Sequence, residues 1–256
     1  MPIPSHRTHR TYTAHSAQRV CADESPCAVR LARRARRPGA VESATVGAIG
    51  RATANEITSD HELTELLGVP LPRVADKARA TLHPIQREWI AHSPLCLVAT
   101  CAADGGCDVS PKGDPPGFVR VLDPARLAVP ERPGNRRADG FRNILSNPHV
   151  GLIFLVPGRP DTLRVNGRAR LVRDAAYFEA MAVRGKRPVL AMEVDVEEVF
   201  FHCAKAFLRS ELWSPRTWHP DELPSRAVIA KALERPDEPL EALEEYYGPT
   251  YAAELY

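Results

Sequence analysis

The sequence predicts a mainly β fold with short helices, arranged as an antiparallel barrel. About six strand-like runs are interspersed with short helical stretches, and no strand–helix–strand unit repeats along the chain. The 24 prolines and 15 glycines among 256 residues indicate many short elements and fixed turns. The sequence contains neither a glycine-rich dinucleotide fingerprint nor a phosphate loop, which argues against nucleotide-binding α/β folds. We therefore expect a closed antiparallel barrel rather than a doubly wound sheet.

The start of the chain differs from the rest in charge. Residues 1–52 carry nine arginines, no lysine and three acidic residues, a net charge of +6, which leaves −4 for the residues that follow. They show no apolar period that could bury a face, so we expect residues 1–55 to form a disordered, arginine-rich segment. A transit peptide, an RNA-binding arm and an upstream start codon are the alternatives for this segment. Because the positive charge lies outside the folded part, nucleic-acid binding by that part is not expected.

Two short helices are predicted ahead of the first strand. Ser59 and Glu62 have the spacing of a capping box, and Gly68 stands where that helix would end. A second helix is expected to open at His83 and to stop before Pro94.

Alternating apolar residues and turn signals then predict the strands. Two hairpins are expected, Leu95–Cys101 with Asp108–Ser110 and Phe118–Leu122 with Leu127–Val129. Long strands are expected at His149–Val156, Leu163–Val172 and Pro188–Phe201. Helical stretches are expected before Asn147 and at Ala175–Val183, Cys203–Leu208, Ala227–Leu233 and Leu240–Tyr247.

The six cysteines are scattered without the close paired spacings of structural zinc sites. A zinc site built from Cys101, Cys107, His202 and Cys203 is conceivable, but reduced thiols and no metal site fit the spacing better. With no apolar core of a secretory signal ahead of them, the thiols favour a cytoplasmic location. The sequence also lacks the ~18 consecutive apolar residues that a membrane span requires.

The densest polar constellation joins two runs at strand ends, Asp108–Asp114 and Pro130–Arg137. Arginine and lysine side chains that converge with serine or asparagine donors and flexible glycine backbone form a pocket for an anion such as a phosphate ester. The alternative is two solvated loops whose charges pair with each other.

These residues carry a resemblance to the pyridoxamine 5′-phosphate oxidase-like family of flavin-binding split barrels. The motifs that carry it are Asp108–Asp114, Leu127–Arg137, Asn143–Pro148, Val150–Leu155 and Thr162–Ala169, with His202–Ala206 and Arg209–Trp213 resembling an FMN-dependent subgroup of that family. The resemblance implies a split-barrel domain over residues 56–218, and the helical stretches predicted beyond it indicate a helical extension over residues 219–256.

The resemblance implies a six-stranded split barrel that forms a homodimer and holds FMN in clefts between the subunits. It also implies hydride transfer between a small-molecule substrate and the flavin. The cofactor-binding residues expected from it and from the polar runs are Ser110, Lys112, Gly113, Val129, Pro130, Arg132, Asn135, Arg136, Arg137, Lys205, Ser210 and Trp213. Among them, Lys112 and the group Asn135 to Arg137 are expected to hold the phosphate, and Trp213 is expected either to stack from the partner subunit or to plug the core. No catalytic residue is assigned.

The chain departs from the family's founding enzyme near its end. Leu212–Trp218 and an acidic helical tail stand where the true oxidases build their substrate-phosphate site, so pyridoxamine 5′-phosphate oxidase activity is not expected. Three alternatives stay open. The first is a reductase of the same fold that uses the deazaflavin F420, and the second is a non-catalytic flavin- or haem-binding module that serves as sensor or store. The third is nucleic-acid binding by the N-terminal arm.

Overall fold

The computed structural model describes residues 55–256. The predicted disorder of residues 1–55 therefore lies outside the described residues, apart from Asn55. The features below belong to the compact unit Ser59–Tyr256. Its α-helices are α1 (Asp60–Leu67), α2 (Pro72–Ala75), α3 (Pro84–His92), α4 (Asp139–Ser146), α5 (Lys205–Arg209), α6 (Arg226–Leu233) and α7 (Leu240–Tyr246). Its strands are β1 (Leu95–Cys101), β2 (Cys107–Gly113), β3 (Arg120–Asp123), β4 (Arg126–Glu131), β5 (His149–Leu155), β6 (Thr162–Val172) and β7 (Leu190–His202).

The strands form one sheet in the order β2-β1-β5-β6-β7-β4-β3, and every neighbouring pair is antiparallel. This confirms the predicted mainly β, antiparallel split-barrel class. Two details differ from expectation. The sheet has seven strands rather than six, because both strands of each predicted hairpin join the three long strands in one sheet. The hydrogen-bonded ladder also does not close, since it ends at β2 on one side and β3 on the other.

Both predicted helix starts are confirmed at the atomic level. The Ser59 hydroxyl accepts a hydrogen bond from the Glu62 backbone N–H at 3.2 Å and so caps α1. At α3, the His83 ring accepts from the Ile85 N–H at 3.3 Å, while the Gln86 side chain accepts from the His83 N–H at 2.8 Å. Two of the N–H groups that a helix start leaves unpaired are therefore satisfied reciprocally.

The main core lies between the inward faces of the strands. Its fully buried residues include Leu127, Phe154, Leu163 and Val165. On β6 the predicted alternation is confirmed, with Val165 and Ala169 buried and Arg168 exposed. Among the described residues, no helix has the length and apolar composition needed to cross a membrane.

The segment after β6 corrects two expectations. An α-helix is expected at Ala175–Val183, but the chain forms a 3₁₀ helix, Ala176–Met181, instead. In a 3₁₀ helix, residues three apart share a face, so Phe178 and Met181 are buried together against the sheet. The sequence of β7 alternates apolar residues with acidic ones, which predicts that Glu193 faces solvent, but the 3₁₀ segment covers that face of the strand. As a result, Glu193 is only 5% exposed.

Burial of Glu193 is compensated by two partners. Its carboxylate accepts from Arg170 Nε at 2.8 Å and from the Tyr177 hydroxyl at 2.8 Å. Desolvation, together with the hydrogen bond to Glu193, raises the pKa of Tyr177 well above its usual range. The buried carboxylate is therefore paired with a cation and a neutral donor, as burial of a charge requires.

A bulge in the β6–β7 ladder depends on Gly167. The register shifts between Asn166, opposite Glu198, and Gly167, opposite Val196. A Cβ at Gly167 would lie 2.1 Å from the backbone oxygen of Asp195. Only a residue without a side chain fits this approach of the two backbones.

Gly167→Ala is expected to lower the free energy of unfolding by about 3 kcal/mol or more, because β6 and β7 must separate to admit the methyl group. The matched control is Gly151→Ala on β5, where the added Cβ would meet Asn166 Oδ1 at an ordinary 3.4 Å. Denaturant unfolding of both variants checks this. Equal stabilities of the two would contradict the proposed packing constraint.

Candidate functional site

β2 and β4 are not neighbours in the backbone ladder, and the gap between them is called the split below. Two ion pairs bridge it. Lys112 Nζ lies 2.6 Å from Glu131 Oε2, and Arg132 Nε lies 2.6 Å from Asp114 Oδ2. The Asp114 and Arg132 side chains are only 3% and 12% exposed. Side chains, not backbone hydrogen bonds, therefore hold the two parts of the sheet together here.

A cavity of about 350 Å³ lies at this split. Its polar lining consists of Thr100, Asp108, Ser110, Lys112, Glu131, Asn135, Arg137 and Asp139. Its apolar lining includes Val98, Phe141, Ile144 and Met192. Sites for small molecules typically have volumes of ~300–1,000 Å³ and combine an apolar wall with a few placed polar groups. The cavity has both features.

The first turn of α4 forms one wall of the cavity. Ala138 caps this helix in the left-handed conformation (φ 56°) and offers no side-chain acceptor to the first N–H groups. Gly140 allows the helix to approach the hairpin, since a Cβ there would lie 3.2 Å from Asp108 Oδ2 and 3.3 Å from Thr100 Oγ1. Asn143 fixes the contact by donating to Thr100 Oγ1 at 3.1 Å. Uncapped N–H groups at a helix start attract anions.

The cations at the cavity differ in how firmly they are held. Lys112 is 19% exposed, pairs with Glu131 and lies 4.7 Å from the centre of the Phe141 ring. Arg137 is exposed, and its guanidinium donates a hydrogen bond to the Asp139 carboxylate. This hydrogen bond raises the pKa of Arg137. Within the part of the chain that the structure describes, the exposed Arg136 side chain has no hydrogen-bond or ion-pair partner.

The net charge of the side chains that line the cavity does not favour an anion. Lys112 and Arg137 oppose the carboxylates of Asp108, Glu131 and Asp139. The two cations already have carboxylate partners, and the Lys112–Glu131 pair joins the two polar runs as the alternative from the sequence supposes. An anion at this site must therefore take over a cation from a carboxylate or recruit Arg136.

The structure brings together some of the predicted cofactor-binding residues and separates others. Those that line the cavity are Ser110, Lys112, Asn135 and Arg137. Those nearby in the chain but outside the lining are Gly113, Val129, Pro130, Arg132 and Arg136. Lys205, Ser210 and Trp213 belong to α5 and the turn after it, and they also lie outside the lining. Their role toward a cofactor stays a prediction.

Contacts explain the positions of the outlying residues. Arg132 is directed to Asp114 and to the Met181 carbonyl, which accepts from its Nη2 at 2.7 Å. Val129 is buried in the main core. Trp213 donates its indole N–H to the Arg159 carbonyl at 2.9 Å and stacks on Phe207.

Four residues that line the cavity are not among the predicted cofactor-binding residues: Thr100, Asp108, Glu131 and Asp139. A signal for Asp108 was available, because alternation along β2 places Asp108, Ser110 and Lys112 on one face. Glu131 lay in the second polar run, but nothing local indicates that it meets Lys112. That contact depends on the curvature of the whole sheet.

A second cavity of about 670 Å³ lies between α3, the turn from β5 to β6 and the end of β7. Trp89, His92, Arg159 and Phe201 are among its lining residues. The Arg159 guanidinium lies 4.9 Å from the centre of the Trp89 ring, and its carbonyl is the one that holds Trp213. Trp213 therefore contacts a residue that lines the second cavity but does not itself belong to that lining.

Comparisons with known proteins agree with this architecture. Residues 82–203 match the family described as Pyridoxamine 5′-phosphate oxidase. The match covers a little under half of the chain, which is similar to that family over these residues, and the matched part is called the oxidase-like domain below. The search of curated proteins found no match.

Several solved structures are similar to the oxidase-like domain. HupZ from Group A Streptococcus is 23% identical with a TM-score of 0.38, covering 47% of this chain and 93% of that one. An FMN-binding protein from Syntrophomonas wolfei is 11% identical with a TM-score of 0.36, covering 46% and 89%. An F420 reductase is 21% identical with a TM-score of 0.33, covering 45% and 94%.

Asp114→Ala is expected to destabilise the oxidase-like domain by about 3 kcal/mol, because it leaves the nearly buried Arg132 without its carboxylate. The matched control is Asp174→Ala, which removes an exposed partner of Arg187 and is expected to cost no more than about 1 kcal/mol. Unfolding in denaturant checks both variants. Equal costs would show that Asp114 does not stabilise the split.

Proposed function

We propose that the protein is an FMN-dependent oxidoreductase that transfers a hydride between a small-molecule substrate and the flavin. The observation that carries the proposal is the cavity at the split, where Lys112, Arg137 and the start of α4 meet an apolar wall in a flavin-binding family's fold. Bound FMN would supply the electron-accepting ring. The chain's own residues would supply position, charge and exclusion of water.

The phosphate end of FMN fits the loop before α4. A phosphate is a dianion whose removal from water must be offset by cations and N–H donors. The exposed and unpartnered Arg136 offers a guanidinium at no cost in lost ion pairs, and α4 offers N–H groups that no side chain caps. Arg137 can join by exchanging Asp139 for the phosphate, since Arg137 is exposed and Asp139 is partly exposed.

The flavin ring fits the apolar wall. Val98, Ile144 and Met192 are buried side chains that present a dry surface to the cavity. Ser110 and Thr100 provide hydroxyl groups beside it. Lys112 stays paired with Glu131 and holds the two strands that flank the ring at a fixed separation.

The first experiment identifies the cofactor and tests the arginine pair together. Denaturation of the purified protein is expected to release FMN, recognised by absorbance and mass. Arg136→Ala with Arg137→Ala is expected to weaken FMN binding ~30-fold or more, the effect of removing partners from a desolvated anion. The matched control is Arg173→Ala, which removes an exposed arginine outside the cavity lining and should leave the Kd unchanged.

The outcomes separate the candidates. Release of F420 or haem, with no uptake of FMN, would overturn the FMN assignment and favour the corresponding alternative. Bound FMN that no reduced nicotinamide or other hydride donor reduces would favour a sensor or storage module. An unchanged Kd in the double variant would refute the phosphate position while leaving the flavin itself in place.

We further propose that the functional unit is a homodimer in which each cofactor contacts both subunits. Lys205, Ser210 and Trp213, expected from the resemblance to approach the cofactor, lie outside the cavity that holds Lys112 and Arg137 in the same chain. The single-chain cavity also lies at the small end of the usual range for ligand sites. A wall contributed by a second subunit accounts for both facts.

Mixed dimers test this arrangement. Trp213→Ala and the Arg136→Ala, Arg137→Ala double variant are each expected to bind FMN weakly as homodimers. A dimer with one chain of each kind contains one site with both defects and one site with none. It is therefore expected to bind one FMN per dimer with the wild-type Kd, measured by titration. Uniformly weak binding in the mixed dimer would show that each site is built from one chain.

A further inference from the structure

Two cysteines face each other at the end of the β1–β2 hairpin. Cys101 and Cys107 are the last paired residues of the two strands. One residue further, the Ala102 N–H donates to the Gly106 carbonyl at 2.8 Å, and Gly105 turns the chain with φ 90°. Ala102 and Gly106 are therefore a hydrogen-bonded pair. Because hydrogen-bonded and non-hydrogen-bonded pairs alternate along an antiparallel ladder, the neighbouring pair of cysteines occupies a non-hydrogen-bonded position.

This position brings the two sulfur atoms within reach of each other. Cα atoms of directly opposed residues lie ~4.5 Å apart at such a position, and disulfides span Cα separations of ~4.4–6.8 Å. We infer that Cys101 and Cys107 form a reversible cross-strand disulfide when the protein meets a peroxide. Cys107 is exposed and Cys101 is partly exposed, so an oxidant can reach the pair.

The surroundings support contact between the thiols. The pKa of Cys101 is raised, first by its hydrogen bond with the Cys107 thiol and then by desolvation. The hairpin end is also held in place, because the Ala103 N–H donates to Ser146 Oγ on α4 at 3.4 Å. A held hairpin keeps the two cysteines opposed, which lowers the entropy lost when they join.

The oxidation balances with hydrogen peroxide as the oxidant. The Cys107 sulfur attacks the peroxide, the O–O bond breaks, and Cys107 becomes a sulfenic acid as one water leaves. The Cys101 sulfur then attacks the Cys107 sulfur, the S–O bond breaks, and the oxygen leaves with the Cys101 proton as a second water. The peroxide is reduced to two waters, and the two thiols are oxidised to one disulfide.

The site is separate from the proposed flavin chemistry. Alternation along the strands places Cys101 and Cys107 on the opposite face from Thr100 and Asp108, which line the cavity. The bridge therefore does not require a bound cofactor.

Digestion after oxidation tests the inference on the full chain. The protein is treated with hydrogen peroxide, its remaining thiols are alkylated, and it is cut with a protease that cleaves before aspartate. Cleavage before Asp76, Asp104 and Asp108 places Cys101 and Cys107 on different fragments. We expect a fragment pair, residues 76–103 joined to residues 104–107, that separates on reduction, together with a loss of two free thiols per chain.

Single variants identify the bridge. Cys101→Ser and Cys107→Ser are each expected to abolish the joined fragments, and Cys203→Ser, which changes an exposed cysteine outside the hairpin, is expected to keep them. Cys96 shares the fragment of Cys101, but burial raises the pKa of its thiol to about 12, so it should stay reduced. Persistence of the bridge in Cys101→Ser, or separate over-oxidation of both cysteines without a bridge, would overturn the inference.

Discussion

The site depends on how the sheet bridges its split. In the strand order, β2 ends one side of the sheet, while β4 is separated from it by four other strands. Lys112 with Glu131 and Asp114 with Arg132 nevertheless connect β2 to β4 at 2.6 Å. Nearly buried ion pairs add little net stability compared with apolar packing, but they are specific in geometry and costly to break on one side. These two ion pairs therefore fix the distance across the split, and the cavity lies beside the charged side chains that form them.

This arrangement gives the cations unequal roles. Breaking the Lys112–Glu131 pair would leave a poorly hydrated charge at the split, since the two side chains are only 19% and 25% exposed. Breaking the Arg137–Asp139 pair releases two groups that water can solvate. An anion that enters the cavity therefore gains more by recruiting Arg136 and Arg137 than by competing for Lys112. Lys112 then acts through the long-range field and through the spacing of the strands.

The predictable parts of the fold are those fixed by local chemistry. Ser59 and His83 start helices because their side chains reach backbone N–H groups two or three residues away. The first hairpin and the alternation along β6 also follow from neighbouring residues. The cover over Glu193 and the contact of Lys112 with Glu131, 19 residues away, depend on the curvature of the sheet. Four of the twelve predicted residues, Ser110, Lys112, Asn135 and Arg137, therefore line one cavity, while the carboxylates that oppose them were not predicted and the role toward a cofactor stays a prediction.

The β1–β2 hairpin shows how one element can serve two chemistries. Side chains alternate between the two faces of each strand, so Thr100 and Asp108 lie toward the cavity and Cys101 and Cys107 lie away from it. A ligand on one face and an oxidant on the other therefore act on adjacent residues without meeting. A Cβ at Gly140 of α4 would lie only 3.2 Å from Asp108 Oδ2 and 3.3 Å from Thr100 Oγ1, so the helix packs closely on the hairpin, and a change in hairpin spacing must move the helix or strain the contact. A disulfide between the two strands would therefore change the position of the α4 N–H groups that are proposed to hold the phosphate.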